Sequence, residues 1–171
     1  MRRKIFGAVI IMGIFLFLSQ QLFAQSQGKI GFVDLSRAFD EYEKTKDFDK
    51  ELEKKGDLKQ QERENLVKDI RKMRDELELM NESARASKEK DIEAKIKMLQ
   101  EFDQDAKAAL TKERDDMVRE ILKEMNSVIQ EYGKANGYSV ILNDRVLLYG
   151  DEQEDLTDEI IKILNDRYRK K

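Results

Sequence analysis

The sequence predicts an α+β fold, mostly α: a long antiparallel helical hairpin that projects from a small β-rich body closed by a C-terminal helix. Three observations predict it. From Ser36 to Lys134 the chain is rich in Lys, Glu, Asp, Leu and Met, lacks proline, and holds one glycine, Gly56, before Gly133. Within that stretch Leu66, Ile70, Met73, Leu77, Met80 and Ala84 recur every three or four residues, the seam of a helix packed along a partner helix. A second seam follows, through Ile92, Ile96, Leu99, Ala106, Leu110, Met117, Ile121, Met125, Val128 and Tyr132.

The first element of the body is Lys29-Ile-Gly-Phe-Val-Asp34, with the β-branched and aromatic content of a short strand. Asp34 or Ser36 then offers a side-chain oxygen to the free amides of a first helical turn. The hairpin arm spans 36–134, with its reversal expected near 83–87, at Ser83-Ala-Arg-Ala-Ser87. That reversal pairs Met80 with Ile92, Met73 with Leu99, Leu66 with Ala106, Leu52 with Ile121 and Phe48 with Met125. Arms of about 48 residues would each be roughly 70 Å long at about 1.5 Å per residue, too long to be wrapped in a core of their own. Between Glu53 and Glu64 the only large apolar residue is Leu58, and Gly56 sits in mid-helix, where it costs about 1 kcal/mol relative to alanine. Gly56 is therefore the expected arm hinge.

At the far end, Gly133 or Gly137 is placed to close the returning helix in the left-handed conformation. Tyr138-Ser-Val-Ile-Leu142 and Val146-Leu-Leu-Tyr149, separated by Asn143-Asp-Arg145, read as strand, turn and strand. Asp155 is placed to cap a last helix from Thr157, with Asp158 and Glu159 at its positive end and Arg167 and Arg169 at its negative end. Together the body segments, 29–35 and 135–171, are below the size at which a lone core usually suffices without a metal, a disulfide or a partner chain. The expectation is an oligomer whose shared body is built by Ile30, Phe32, Val140, Leu142, Val146, Leu148, Ile160, Ile163 and Leu164.

The N-terminus carries an address. Arg2, Arg3 and Lys4 precede an apolar run from Ile5 to Leu18 and then small residues at Ala24 and Ser26, the pattern of a secretory signal peptide over 1–24, with cleavage after 24 or 26. Fourteen apolar residues fall short of the roughly 20 that span a bilayer. The first 24 residues hold three of the 33 basic and none of the 36 acidic residues, so their removal leaves 30 against 36, a net of −6. Nucleic acid is not an expected partner of such a chain.

Composition also excludes chemistry. The chain has no cysteine and no histidine, which removes thiolate nucleophiles, disulfides, imidazole bases and the usual zinc sites. Its carboxylates sit at solvated helix positions, without a glycine-rich phosphate loop, so neither an enzyme nor a cofactor or metal is expected. With 40% of residues charged, disorder is the competing reading, and the sustained seam argues against it.

At Lys29-Ile-Gly-Phe-Val-Asp-Leu-Ser-Arg-Ala-Phe39 and Glu41-Tyr-Glu-Lys-Thr-Lys46 the chain resembles the Skp/OmpH family of periplasmic chaperones. Gly137-Tyr-Ser-Val-Ile-Leu142, Val146-Leu-Leu-Tyr149 and Asp155-Leu-Thr-Asp-Glu-Ile160 are similar to that family's closing strands and helix. The resemblance implies a periplasmic homotrimer whose arms surround a cavity that holds unfolded outer-membrane proteins without ATP. Two departures stand out. Many members carry proline after the tyrosine of the first motif, where this chain has Glu43, and well-known members are basic, whereas this mature chain is acidic.

From Arg63 to Lys97 ten basic and nine acidic residues balance, while the rest of the arm has thirteen and eighteen, so the tip is nearly neutral and suited to transient contact with a membrane surface. Apolar residues off the seam, Leu58, Val67, Leu79, Met98 and Phe102, are the candidates for contact with unfolded chains, and methionine in particular adapts to varied partners. A structural coiled-coil spacer or adaptor of the cell envelope is the alternative reading; it requires fixed protein partners at the tip.

Overall fold

The computed structural model describes residues 28–170; the expected signal peptide lies outside them. Strand β1 (Lys29–Val33) leads through Asp34 into helix α1 (Leu35–Glu41), and an extended residue, Tyr42, separates α1 from α2 (Glu43–Glu78). Helix α3 (Glu82–Asn136) returns to strand β2 (Tyr138–Asn143), and α4 (Thr157–Tyr168) closes the chain. Asp34 is the cap chosen: its carboxylate accepts from the Arg37 amide at 2.8 Å.

β1 and β2 pair in parallel, with Ile30 opposite Val140 and Phe32 opposite Leu142. The whole hairpin is thus the crossover that a parallel pair requires. On its other edge β1 meets the start of α4, where the Leu156 amide donates to the Phe32 carbonyl at 2.9 Å. The expected strand at 146–149 does not form. Asn143 caps a short 3-10 turn over Asp144–Val146 instead, and Val146, Leu148 and Tyr149 stand 70%, 108% and 84% exposed.

The reversal is corrected too. It falls at Leu79–Asn81, before the expected 83–87, because Asn81 accepts from the Ala84 amide and starts α3 there, while Ser83 donates to the same Asn81 oxygen. Small residues at 83–87 looked like a break, yet alanine is the best helix former. Cross-helix contacts such as Glu76 with Lys88 and Arg63 with Asp103 set the register, which places each α2 residue opposite an α3 residue about six positions earlier than expected, nearly two helical turns. The two arms are also unequal, 36 and 55 residues, because α2 stops at Tyr42 whereas α3 runs on into the body.

That extension supplies the core. Ile121, Met125 and Val128 of α3 pack with Val33, Ala38, Tyr42, Leu156, Ile160, Ile161 and Leu164, all nearly sealed from solvent. The body is therefore larger than 29–35 plus 135–171, and a single chain has a core after all. Gly133, where α3 passes β2, is buried; a Cβ there would sit 3.1 Å from the Ile141 Cδ1. Gly137, at φ +76°, takes the left-handed closing conformation. Replacing fully buried Ile121 by alanine is expected to cost about 2–5 kcal/mol in urea unfolding. Leu58→Ala, at an exposed arm position, is expected to cost less than about 0.5 kcal/mol, which the same titration measures.

Candidate functional site

The arm changes character along its length. At its root Phe48 is buried on α2 and Ile121 and Met125 on α3; toward the tip Ile70 and Ile92 are buried. Between these apolar ends the inward positions of α2 hold Lys55, Gly56, Lys59 and Arg63. Lys55 pairs with Glu113, the Lys59 ammonium stands 5.4 Å from the centre of the Phe102 ring, and Arg63 Nε donates to Asp103 at 3.0 and 3.3 Å. An open groove of about 330 Å³ runs between Gly56, Phe102, Ala106 and Leu110. A Cβ on Gly56 would meet nothing within 4 Å, so its role is not a close approach, and α2 continues through it as unbroken helix.

The five expected contact residues do not form one patch. Leu58, Val67, Leu79 and Met98 are exposed, but Leu58 and Val67 lie nine residues apart on one helix, which turns them to opposite sides of it. Phe102 is half-buried in the hairpin beneath Lys59 and is corrected from free surface to seam. Met80 and Leu122 are further exposed apolar residues that periodicity assigned to the seam or left unremarked. Leu79, 91% exposed at the reversal, is the most open apolar side chain of the arm, and its place off the seam is the signal that singled it out.

The body presents a second surface. Ile30 and Val140, directly paired across the sheet, are both about half exposed, and Val146, Leu148 and Tyr149 are exposed as well. Phe32 is partly covered by Gly150, and Leu142 is half-buried. Ile160 and Leu164 are sealed inside the protomer, with Ile163 packed against the same core, so these three are corrected from assembly surface to protomer interior or its margin.

Polar groups concentrate where the arm meets the body. The Tyr42 hydroxyl donates to Glu124 at 2.9 Å, and the Lys44 ammonium reaches Glu120 at 2.6 Å and Glu124 at 3.0 Å. Burial, reinforced by the Glu124 carboxylate, holds the Tyr42 phenol above its ordinary range. Burial lowers Lys44, but its bonds to Glu120 and Glu124 outweigh that and leave it raised. Hydrogen bonds from Arg169 and Arg167 hold the Glu43 and Glu131 carboxyls below the usual range. Among the described residues no group of three or more acidic side chains is placed to hold a metal ion, and no helix is long and apolar enough to cross a membrane.

The fold is a two-helix arm on a small α/β body, with ion pairs and hydrogen bonds along the arm and apolar side chains left in solvent. The comparisons name the class. The family described as outer membrane protein (OmpH-like) matches residues 29–164, and the chain belongs to it. Chaperone protein Skp of Pectobacterium atrosepticum is 24% identical over 158 residues, covering 88% of this chain and 93% of the relative. A crystal structure described as an OmpH-like outer membrane chaperone of Caulobacter crescentus superposes with a TM-score of 0.71 at 18% identity, covering 85% of this chain and 92% of that one.

Two outcomes are expected. With no histidine, thermal stability stays flat from about pH 5 to about pH 9. Below that it declines, because lowered carboxyls such as Glu43 and Glu131 contribute stability that is lost as pH falls through their folded values; above it, raised Tyr42 and Lys44 contribute stability that is lost as pH rises past about 10. Melting curves check this, and Tyr42→Phe should shrink the alkaline limb. Separately, raising salt from about 0.01 M to about 1 M shortens the screening length from roughly 30 Å to about 3 Å. Hydrogen exchange should then quicken at the charged seam from Lys55 to Arg63 but not around Ile121, and the double change Arg63→Leu with Asp103→Leu should blunt the response.

Proposed function

We propose that this protein is an ATP-independent holdase chaperone of the periplasm that binds unfolded outer-membrane proteins between the arms of a homotrimer and delays their aggregation. The observation that carries the reading is the distribution of exposed apolar side chains along the arm: Leu58, Val67, Leu79 and Met98 are spread over both helices and the tip, with no concentrated pocket. An unfolded chain has no fixed shape to match, so many weak contacts at high effective concentration suit it better than one deep site. A spacer with a fixed partner would instead gather its apolar contacts at one end. Family membership and the likeness to a chaperone protein Skp support the same reading.

Assembly follows from the uncovered face of the body. Ile30, Val140, Val146, Leu148 and Tyr149 are the exposed apolar side chains that copies of this chain would cover, and a two-stranded sheet offers an edge for pairing with another chain. The near-neutral tip with its exposed Leu79 is the part suited to brief contact with a membrane surface.

Purified protein should keep a denatured outer-membrane β-barrel protein soluble at about one client per trimer without nucleotide; light scattering reads this, and unchanged aggregation would refute the holdase reading. Leu148→Asp should shift sedimentation from trimer to monomer while leaving helicity intact, because Leu148 touches nothing that holds the protomer core.

A further inference from the structure

Helix α2 has no cap of its own. Tyr42, extended at φ −67° and ψ 123°, precedes it, and no side chain there accepts from the first turn. The residue after such a break is where proline is favoured, since its missing N–H is an orphan and its φ is already set. Here Glu43 keeps its N–H, and that proton is claimed by another element: the Asn165 side-chain oxygen on α4 accepts it at 2.8 Å. The Asn165 amide nitrogen in turn donates to the Glu41 carbonyl at 3.4 Å, so one side chain holds the end of α1 and the start of α2 together.

Neighbours on the same face of α4 reinforce the grip. Arg169 clasps the Glu43 carboxylate through Nε at 2.9 Å and through a second nitrogen. The Tyr168 ring stands edge-on to Tyr42 at 5.9 Å, and its hydroxyl donates to Asp47 at 3.4 Å. From the opposite side of α4, Arg167 reaches Glu131 on α3 at 2.7 Å, which fixes α4 itself against the returning helix. Helix α3 is rooted in the core by Ile121, Met125 and Val128, whereas the helical ladder breaks between α1 and α2 at Tyr42. Beyond the buried Tyr42 ring it is the grip of α4 on Glu43 and Asp47 that ties the start of α2 to the body, and a rod with few ties at its base can swing about them.

We propose that Asn165 and Arg169 form a latch that gives the arm its second root, so that α4 sets the angle between arm and body and, through it, the size of unfolded chain the arms admit. Both are positioning residues. The latch stands on geometry alone; only its link to client size rests on the holdase reading.

The cysteine-free chain allows a direct test. Spin labels at Glu78→Cys near the tip and Glu152→Cys in the body, in doubly labelled chains diluted with unlabelled protein, report one arm's angle. Asn165→Ala with Arg169→Ala should broaden the distance distribution about twofold while helicity and melting temperature stay near those of the parent. Adding Glu43→Pro to Asn165→Ala should narrow it again, because the ring fixes φ at the first helical position without needing the lost acceptor. An unchanged width overturns the latch. The ratio of affinities for a long and a short unfolded barrel protein should change roughly threefold in the latch-free variant. Broadened arms with an unchanged ratio would overturn the link to client size. If the parent held neither client, the holdase reading would fail while the distance distributions still judged the latch.

Discussion

The packing of Ile121, Met125 and Val128 against α1, β1 and α4 is the constraint on which the rest depends. A hairpin only two helices thick exposes most of its surface and has no interior of its own. One of its two helices is rooted in a core of ten buried side chains, shared with β1, α1 and α4. The parallel pairing of β1 and β2 follows from the same root: the chain must leave along α2 and return along α3, so both strands point the same way.

Along the arm, stability passes from apolar burial to ion pairs and back. The root and the upper seam bury Phe48, Ile70 and Ile92, where dispersion and burial fix the helices irrespective of salt. The middle is held by Lys55, Lys59 and Arg63, half-exposed groups whose attraction water and ions weaken. A glycine with open space around it lies in that same stretch. The arm is thus held by apolar burial at its two ends and by ion pairs halfway out.

The body shows the converse imbalance. Its core is complete, yet Ile30, Val140, Val146, Leu148 and Tyr149 remain in solvent. Five large exposed apolar side chains on so small a body are more than the scattered apolar residues of an ordinary surface. They lie apart from Ile160 and Leu164, which hydrophobicity alone could not distinguish from them, because burial inside one chain and burial between chains select the same residue types.

Much of this was legible in residue order. The three-and-four spacing from Leu66 to Ala84 and from Ile92 to Tyr132 determined two long paired helices, Gly133 or Gly137 marked the end of the second, and the absence of cysteine and histidine determined what chemistry was out of reach. Periodicity repeats every turn, however, so it could not choose among registers that differ by whole turns. The Asn81 cap and the Arg63–Asp103 pair chose, in three dimensions. Nor could spacing show that Tyr42 interrupts the outgoing helix and that Asn165, more than a hundred residues away, supplies the acceptor its first turn lacks. The sequence by itself determined the elements and their seams, because those depend on local spacing; tertiary structure decided register, roots and the uncovered face, because those depend on which distant groups satisfy one another.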